Sequence, residues 1–175
     1  MKKILLSTLA TIALIGTTLT ANESGFIVEQ HIGYTNISME NESGHGANLG
    51  FDFAIPIFGA NKTNGLNIGL GIEVEGASID SSTGSGSVGV YGGTGKGFLG
   101  YNYKDFNVRV GGGYQYLKIT EASYADGFVM TSSAGWNFSE KFGVQVTYKT
   151  GDLSLNGSGP DIKTDTVGIN FVFHN

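Results

Sequence analysis

Between residues 47 and 58 the chain alternates. Leu49, Phe51, Phe53, Ile55 and Ile57 fall on one parity, and Asn48, Gly50, Asp52, Ala54 and Pro56 on the other. A period of two belongs to a strand, because successive side chains point to opposite faces of a sheet. The pattern recurs along the chain. Residues 66–75 set Leu66, Ile68, Leu70, Ile72 and Val74 against Asn67, Gly69, Gly71, Glu73 and Glu75, and residues 25–37 set Phe26, Val28, Ile32 and Tyr34 against Glu29, His31 and Gly33. From 106 to 116, Phe106, Val108, Val110, Tyr114 and Tyr116 oppose Asn107, Arg109, Gly111, Gly113 and Gln115. Phe128, Met130, Ala134, Trp136 and Phe138 mark a sixth strand, while Phe142, Val144, Val146 and Tyr148, opposite Gly143, Gln145, Thr147 and Lys149, mark a seventh. Val167, Ile169, Phe171 and Phe173 mark the last. The segment 88–103 is less regular: Val88 and Val90 are even, but Leu99, Tyr101 and Tyr103 are odd, so a bulge within 92–97 is expected.

The apolar parity is large and the polar parity is small or charged, which suits a barrel with a greasy outside and a wet inside. Most segments reach the roughly 9–11 residues that a tilted membrane strand needs. Connections at 59–65, 104–105 and 139–141 read as short turns; those at 39–46, 76–87, 118–126 and 151–163 read as longer Gly/Ser/Asn/Asp loops. Short turns at one end and longer loops at the other predict periplasmic turns, external loops and periplasmic termini. Aromatic residues gather at both ends of the strands. Phe26, Phe58, Tyr103, Phe106, Phe138, Phe142 and Phe173 lie by the short turns, and Tyr34, Tyr116, Tyr124, Phe128 and Tyr148 towards the longer loops. Two such girdles are expected at the two interfaces of a membrane.

The N-terminus changes the picture further. Lys2 and Lys3 precede an apolar stretch from Ile4 to Gly16, broken by Ser7, Thr8 and Thr11, and a small-residue tail that ends at Ala21. This reads as a secretory signal peptide, residues 1–21, leaving a barrel domain at 22–175. Without a cysteine the chain has neither a lipid-attachment site nor a disulfide framework. Removing residues 1–21 takes Lys2 and Lys3, so the 154 left hold eight basic and 15 acidic side chains, net −7. Such an acidic chain argues against nucleic-acid binding. Mean hydropathy is +0.02, near zero because the two parities of each strand cancel. Twenty-nine glycines and two prolines speak for turns and closely packed strands instead of helices.

With its eight alternating segments and the aromatic-alternating end Val167-Gly-Ile-Asn-Phe-Val-Phe173, the chain resembles small bacterial outer-membrane β-barrels of the eight-stranded OmpA/OmpX-like class. The resemblance implies an all-β, antiparallel, transmembrane barrel in the outer membrane. Its expected partners are outer-membrane lipid and lipopolysaccharide. In that class the insertion machinery reads a final aromatic, whereas here His174 and Asn175 follow Phe173.

Chemistry is expected first in the lumen, where parity places Glu29, His31, Asp52, Glu73, Glu75, Arg109 and Lys149. Charges on the lipid face are costly, and so are isolated buried ones, so ion pairs bridged by Gln115, Gln145 and water are expected. An eight-stranded bore is just wide enough for side chains to fill. A structural plug is therefore favoured over a narrow ion path. An envelope-lipid enzyme is the third reading: Ser43, His45, Asp80, Ser81 and Ser82 in two loops resemble the groups of lipid A palmitoyltransferases, but the N-terminal amphipathic helix of that family is missing. Gly84-Ser-Gly-Ser-Val-Gly89 opens no helix and is no dinucleotide site, and Gly95-Lys96-Gly97 is no phosphate loop. No cofactor or metal is expected. The reading is a monomeric, non-enzymatic barrel with a structural or surface-interaction role, in envelope integrity or adhesion, that meets external ligands through loops 76–87 and 151–163.

Overall fold

The structure is a computed structural model, and it describes residues 25–40, 42–58, 60, 63–80, 86–119, 123–157 and 159–174. The expected leader, 1–21, and Ser81 and Ser82 lie outside these residues. Eight strands follow in order: β1 (Ile27–Met39), β2 (Glu42–Pro56), β3 (Asn64–Asp80), β4 (Ser87–Tyr103), β5 (Phe106–Lys118), β6 (Tyr124–Asn137), β7 (Phe142–Leu155) and β8 (Asp161–His174). Each pairs antiparallel with the next, and β8 pairs with β1, from Glu29 opposite His174 to Met39 opposite Thr164. The sheet closes and leaves no edge.

Alternation sorts the side chains as the sequence pattern predicts. Leu70 is 70% exposed, Ile72 62% and Phe171 62%, and they belong to an outer wall of large apolar side chains. Between those positions Asn67, Glu73, Gln115, Gln145 and Asn170 point inward and are buried. Such an outer wall is stable only against an apolar surrounding. Bulky rings border it at both ends: Phe106 stacks on Trp136 and Phe142 meets Phe173 edge-on at one end, while Tyr116 stacks on Tyr124 towards the other.

β4 carries no bulge. Its pairing with β3 runs unbroken from Asn64 opposite Tyr103 to Asp80 opposite Ser87. Val88 and Val90 lie on the inward parity with Lys96 and Phe98, and Val90 is buried. The parity did not slip; the lumen changed character. Towards this end of the barrel the interior is apolar, built from Ile37, Ile79, Val90, Leu117, Val129 and Leu153, with Met39 and Ala125 completing the cluster. Beside them the outward positions turn polar, among them Asn36, Ser78 and Ser154. The barrel is therefore inverted along its axis, with polar inside and apolar outside in the belt, and the reverse above it.

This inversion also overturns the expected loops. Because the strands continue past the belt, the connections at 39–46, 76–87, 118–126 and 151–163 shrink to 40–41, 81–86, 119–123 and 156–160. They are comparable in length to those at the other end, 57–63, 104–105 and 138–141. Ser43 and His45 consequently sit on β2, not in a loop. Val28 and Leu49 share the outward parity yet are buried. Phe53 stands opposite Val28, and Ile32 and Val74 flank Leu49 on the same face. Glycine is required where strands crowd inside the barrel: a Cβ at Gly111 would strike the Gly97 carbonyl oxygen and the Phe98 Cα. At outward Gly95 a Cβ would meet nothing within 4 Å.

Candidate functional site

The inward positions of the belt hold two stacked charge clusters. In the lower one Arg109 on β5 reaches across the bore. Its Nη2 lies 2.5 Å from Glu29 Oε2 on β1, and its Nη1 donates to Asp52 Oδ2 on β2 at 3.0 Å. Each carboxylate has a second partner: Asp52 Oδ1 meets Lys96 Nζ at 3.1 Å, and Glu29 Oε1 meets His174 Nδ1 at 3.3 Å. The guanidinium also covers the Phe98 ring, 4.9 Å from its centroid. Below it, Phe98 packs with Ile27 and Ala54 in a small apolar floor.

One inward step higher, Lys149 on β7 takes the place of Arg109. Its Nζ donates to Glu73 Oε1 at 3.0 Å, to Glu75 Oε1 at 2.6 Å and to Thr94 Oγ1 at 3.2 Å. Gln115 Nε2 donates to the same Glu75 oxygen at 2.6 Å, and His31 Nε2 lies 3.3 Å from Glu73 Oε2. All seven side chains assigned to the lumen by parity, Glu29, His31, Asp52, Glu73, Glu75, Arg109 and Lys149, are at most 9% exposed. The sequence reasoning did not include Lys96 and His174, although both complete the lower cluster. Lys96 was hidden by the expected bulge in its own strand, and His174 by the reading of Phe173 as the functional end. Across both clusters four carboxylates face three permanent cations.

Each buried charge is thereby paired, as burial requires, although Arg109 Nε and Glu75 Oε2 keep no hydrogen-bond partner. The contacts also fill the bore. The space left between the clusters, lined by Glu73, Thr94, Lys96, Arg109, Lys149 and Thr166 among others, is about 30 Å³. That is room for a water molecule rather than a continuous aqueous path. Above it the apolar cluster around Leu117 and Leu153 closes the lumen with side chains that are 0% exposed.

The girdle residues line the two borders of the outer wall. Phe26, Tyr103, Phe106, Phe138, Phe142 and Phe173 are exposed at one, and Tyr34, Tyr116 and Tyr148 at the other. Tyr91 and Tyr114, which the expected girdles left out although Tyr114 was placed outward, are exposed as well. Tyr114 donates to Asp126, and Tyr148 donates to Asp165 Oδ1 at 2.7 Å, as befits rings with one apolar and one polar end. His45 is occupied on the outer wall: its Nδ1 meets the Tyr34 hydroxyl at 2.6 Å and the Asn36 amide at 2.9 Å. Among the described residues no group of His, Asp or Glu has the arrangement of a metal site.

Comparison with protein-family models and with curated sequences gave no match. Among solved structures the barrel is similar to Ail, the attachment invasion locus protein of Yersinia pestis, in complex with the heparin analogue sucrose octasulfate. The TM-score is 0.57 at 11% identity, covering 86% of this chain and 99% of that one. It is similar also to Neisserial surface protein A, with a TM-score of 0.57 at 9% identity, covering 86% and 97%. At such identities the likeness is one of fold. The chain has the closed eight-stranded fold of the small outer-membrane barrels, the OmpA/OmpX-like class.

Proposed function

We propose that this protein spans the outer membrane of a Gram-negative bacterium as a barrel with a closed bore, and that it serves as a structural and surface-facing element instead of a pore or an enzyme. The observation that carries this is the filled lumen: among the described residues two ion-pair clusters occupy the bore under an apolar plug, with about 30 Å³ left between the clusters. The exposed apolar wall between two aromatic borders supports residence in lipid, where a sheet satisfies every backbone group only by closing into a barrel. The leader at 1–21 delivers it, and the aromatic-rich β8 addresses it to the insertion machinery. The inverted end, whose outer positions are polar, then projects outside the cell and leaves both termini in the periplasm.

Surface contact takes place on that projecting end. Ail holds a heparin analogue in its solved complex. Here Glu40, Glu42, Asp126, Asp152, Asp161 and Asp165 outnumber Lys118 and Lys163 around the same end, so a polysulfate is repelled and a neutral or cationic partner is preferred. The non-enzymatic reading rests on His45 Nδ1 being taken up by Tyr34 and Asn36 on the outer wall, with Ser78 opposite it on β3.

The test is single-channel recording of the reconstituted protein in a planar bilayer. The expected result is a folded, heat-modifiable and electrically silent barrel. Steady openings that change when Arg109 or Glu73 is neutralised would replace this reading with a narrow channel.

A further inference from the structure

The ceiling of the polar lumen, where it meets the apolar plug, holds buried oxygens that no described residue satisfies. Thr35 on β1 and Gln115 on β5 each stand one inward step below a plug residue, Ile37 and Leu117. Glu75 on β3 stands one step below Ala77, which packs against the plug. Asn48 on β2 lies directly opposite Glu75. All four side chains are at most 5% exposed. Thr35 Oγ1, Asn48 Oδ1, Glu75 Oε2 and Gln115 Oε1 have no hydrogen-bond partner. Their surroundings draw them together. Gln115 Nε2 donates to Glu75 Oε1 at 2.6 Å, so two of the orphaned oxygens belong to one hydrogen-bonded pair. The Asn48 amide leans towards Gly168, 3.4 Å from where a Cβ would stand there, and Gly168 is the residue opposite Thr35 on β8. Asn48 therefore spans the distance from Glu75 to Thr35.

We propose that this layer holds one desolvated alkali cation, sodium or potassium, ligated by those four oxygens. Among the described residues the buried side-chain atoms without a partner include one nitrogen, Arg109 Nε in the lower cluster, and the others are oxygens. No spare donor in the layer could meet them by a change of rotamer. Buried acceptors are costly when unpaired, and a hard cation takes carboxylate, amide and hydroxyl oxygens in place of its water shell. Charge sets the valence. The two clusters hold four carboxylates and three permanent cations, and Glu75 already shares its other oxygen with Lys149. One positive charge closes that difference, whereas a divalent ion would overshoot it and repel the ammonium. A set with one carboxylate and no imidazole suits a hard ion and not a transition metal. Room exists beside the layer: Lys149, which holds Glu75, also borders the space of about 30 Å³ between the clusters. With the plug above and ion pairs below, the cation is enclosed as the barrel closes and stabilises the folded state.

The site does not depend on which end of the barrel faces outwards. It is tested by urea unfolding of the full chain in lipid vesicles, in sodium, potassium or N-methylglucamine chloride at equal ionic strength, so that screening is constant. The alkali salts should raise the urea midpoint above that in N-methylglucamine. Beyond the dissociation constant, each tenfold rise in alkali ion should multiply the folded-to-unfolded ratio about tenfold. Thr35→Val keeps the shape but removes one ligand, and should move the dependence to about tenfold higher alkali concentration. Glu75→Gln should abolish it. Thr131→Val, which removes a luminal hydroxyl outside the layer, should leave it intact. In crystals grown from rubidium chloride, anomalous diffraction should place one ion among Thr35, Asn48, Glu75 and Gln115, which keeps the test decisive if a variant does not fold. Equal midpoints in the three salts, the result if water alone fills the layer, overturn the proposal. So does an alkali dependence that Thr35→Val and Glu75→Gln both leave unchanged, or a rubidium ion bound only elsewhere. A barrel that conducts yet shows the alkali dependence defeats the closed-bore reading and keeps this site.

Discussion

Replacing Arg109 with alanine removes one cation from between two carboxylates and exposes what the lower cluster contributes. In the wild type Arg109 touches Glu29 at 2.5 Å and Asp52 at 3.0 Å, and its stem and guanidinium cover Phe98. Breaking one partner out of a buried pair costs about 3–5 kcal/mol, because the remaining charge is left without compensation. Here neither acid is wholly abandoned, as Glu29 keeps His174 and Asp52 keeps Lys96. The loss should therefore fall near the lower end, about 3 kcal/mol, including the packing lost over Phe98. Equilibrium urea unfolding in lipid vesicles, followed through Trp136, measures it. A cycle with Glu29→Gln separates the pair from the packing: the double variant should cost less than the two single losses added together, by about 1–3 kcal/mol. A stability within about 0.5 kcal/mol of wild type for Arg109→Ala would refute the account of the lumen as a load-carrying ion-pair plug.

Other parts of the barrel give sharper contrasts. Leu117→Ala in the apolar plug should cost about 2–5 kcal/mol in the same unfolding assay, since Leu117 is 0% exposed; a loss below about 1 kcal/mol would mean that the plug is loosely packed. Gly111→Val should prevent formation of the heat-modifiable barrel while Gly95→Val folds normally, because only at Gly111 would a Cβ strike neighbouring backbone; equal folding of the two would count against the tight strand approach. Ile72→Lys on the outer wall should cost about 2–4 kcal/mol in bilayers. Ser78→Lys, three inward–outward steps higher on β3, should stay within about 0.5 kcal/mol, and similar costs for both would place the membrane boundary wrongly.

Most of the belt was legible because each strand there repeats its signal four or five times. Leu66 to Val74 alternates without a break, and one parity error would have put Glu73 or Glu75 into lipid. The upper third was not legible, for a physical reason. There a strand contributes at most one or two buried inward apolar residues, such as Ile37 and Met39, Ile79, Leu117 or Leu153, among Ser, Gly and Asp on the outer side. One apolar residue in a strand has no periodicity of its own, and the plug exists only once β1 and β3 to β7 have brought those residues together. Val88 and Val90 carried the signal, but an inverted interior and a bulge give the same parity change in one strand. Parity put Glu29 and Arg109 into one lumen; the second partners Lys96 and His174 depended on the register of β4 and on the course of the last residue of β8.

The lower cluster also bears on how the barrel assembles. Its members come from β1, β2, β4, β5 and β8, and neither carboxylate finds a cationic partner within its own β1–β2 hairpin. The β1–β2 hairpin alone brings Glu29 opposite Asp52, two like charges in register. That arrangement is unfavourable until β4 and β5 deliver Lys96 and Arg109. The closing pair, Glu29 with His174, then sits where the first strand meets the last. A partly inserted sheet therefore carries uncompensated charge into lipid, and the penalty is relieved only at closure. Assembly of this chain should be slow, because its pairings span long sequence separations, and cooperative, with the last few residues deciding when the sheet can shut.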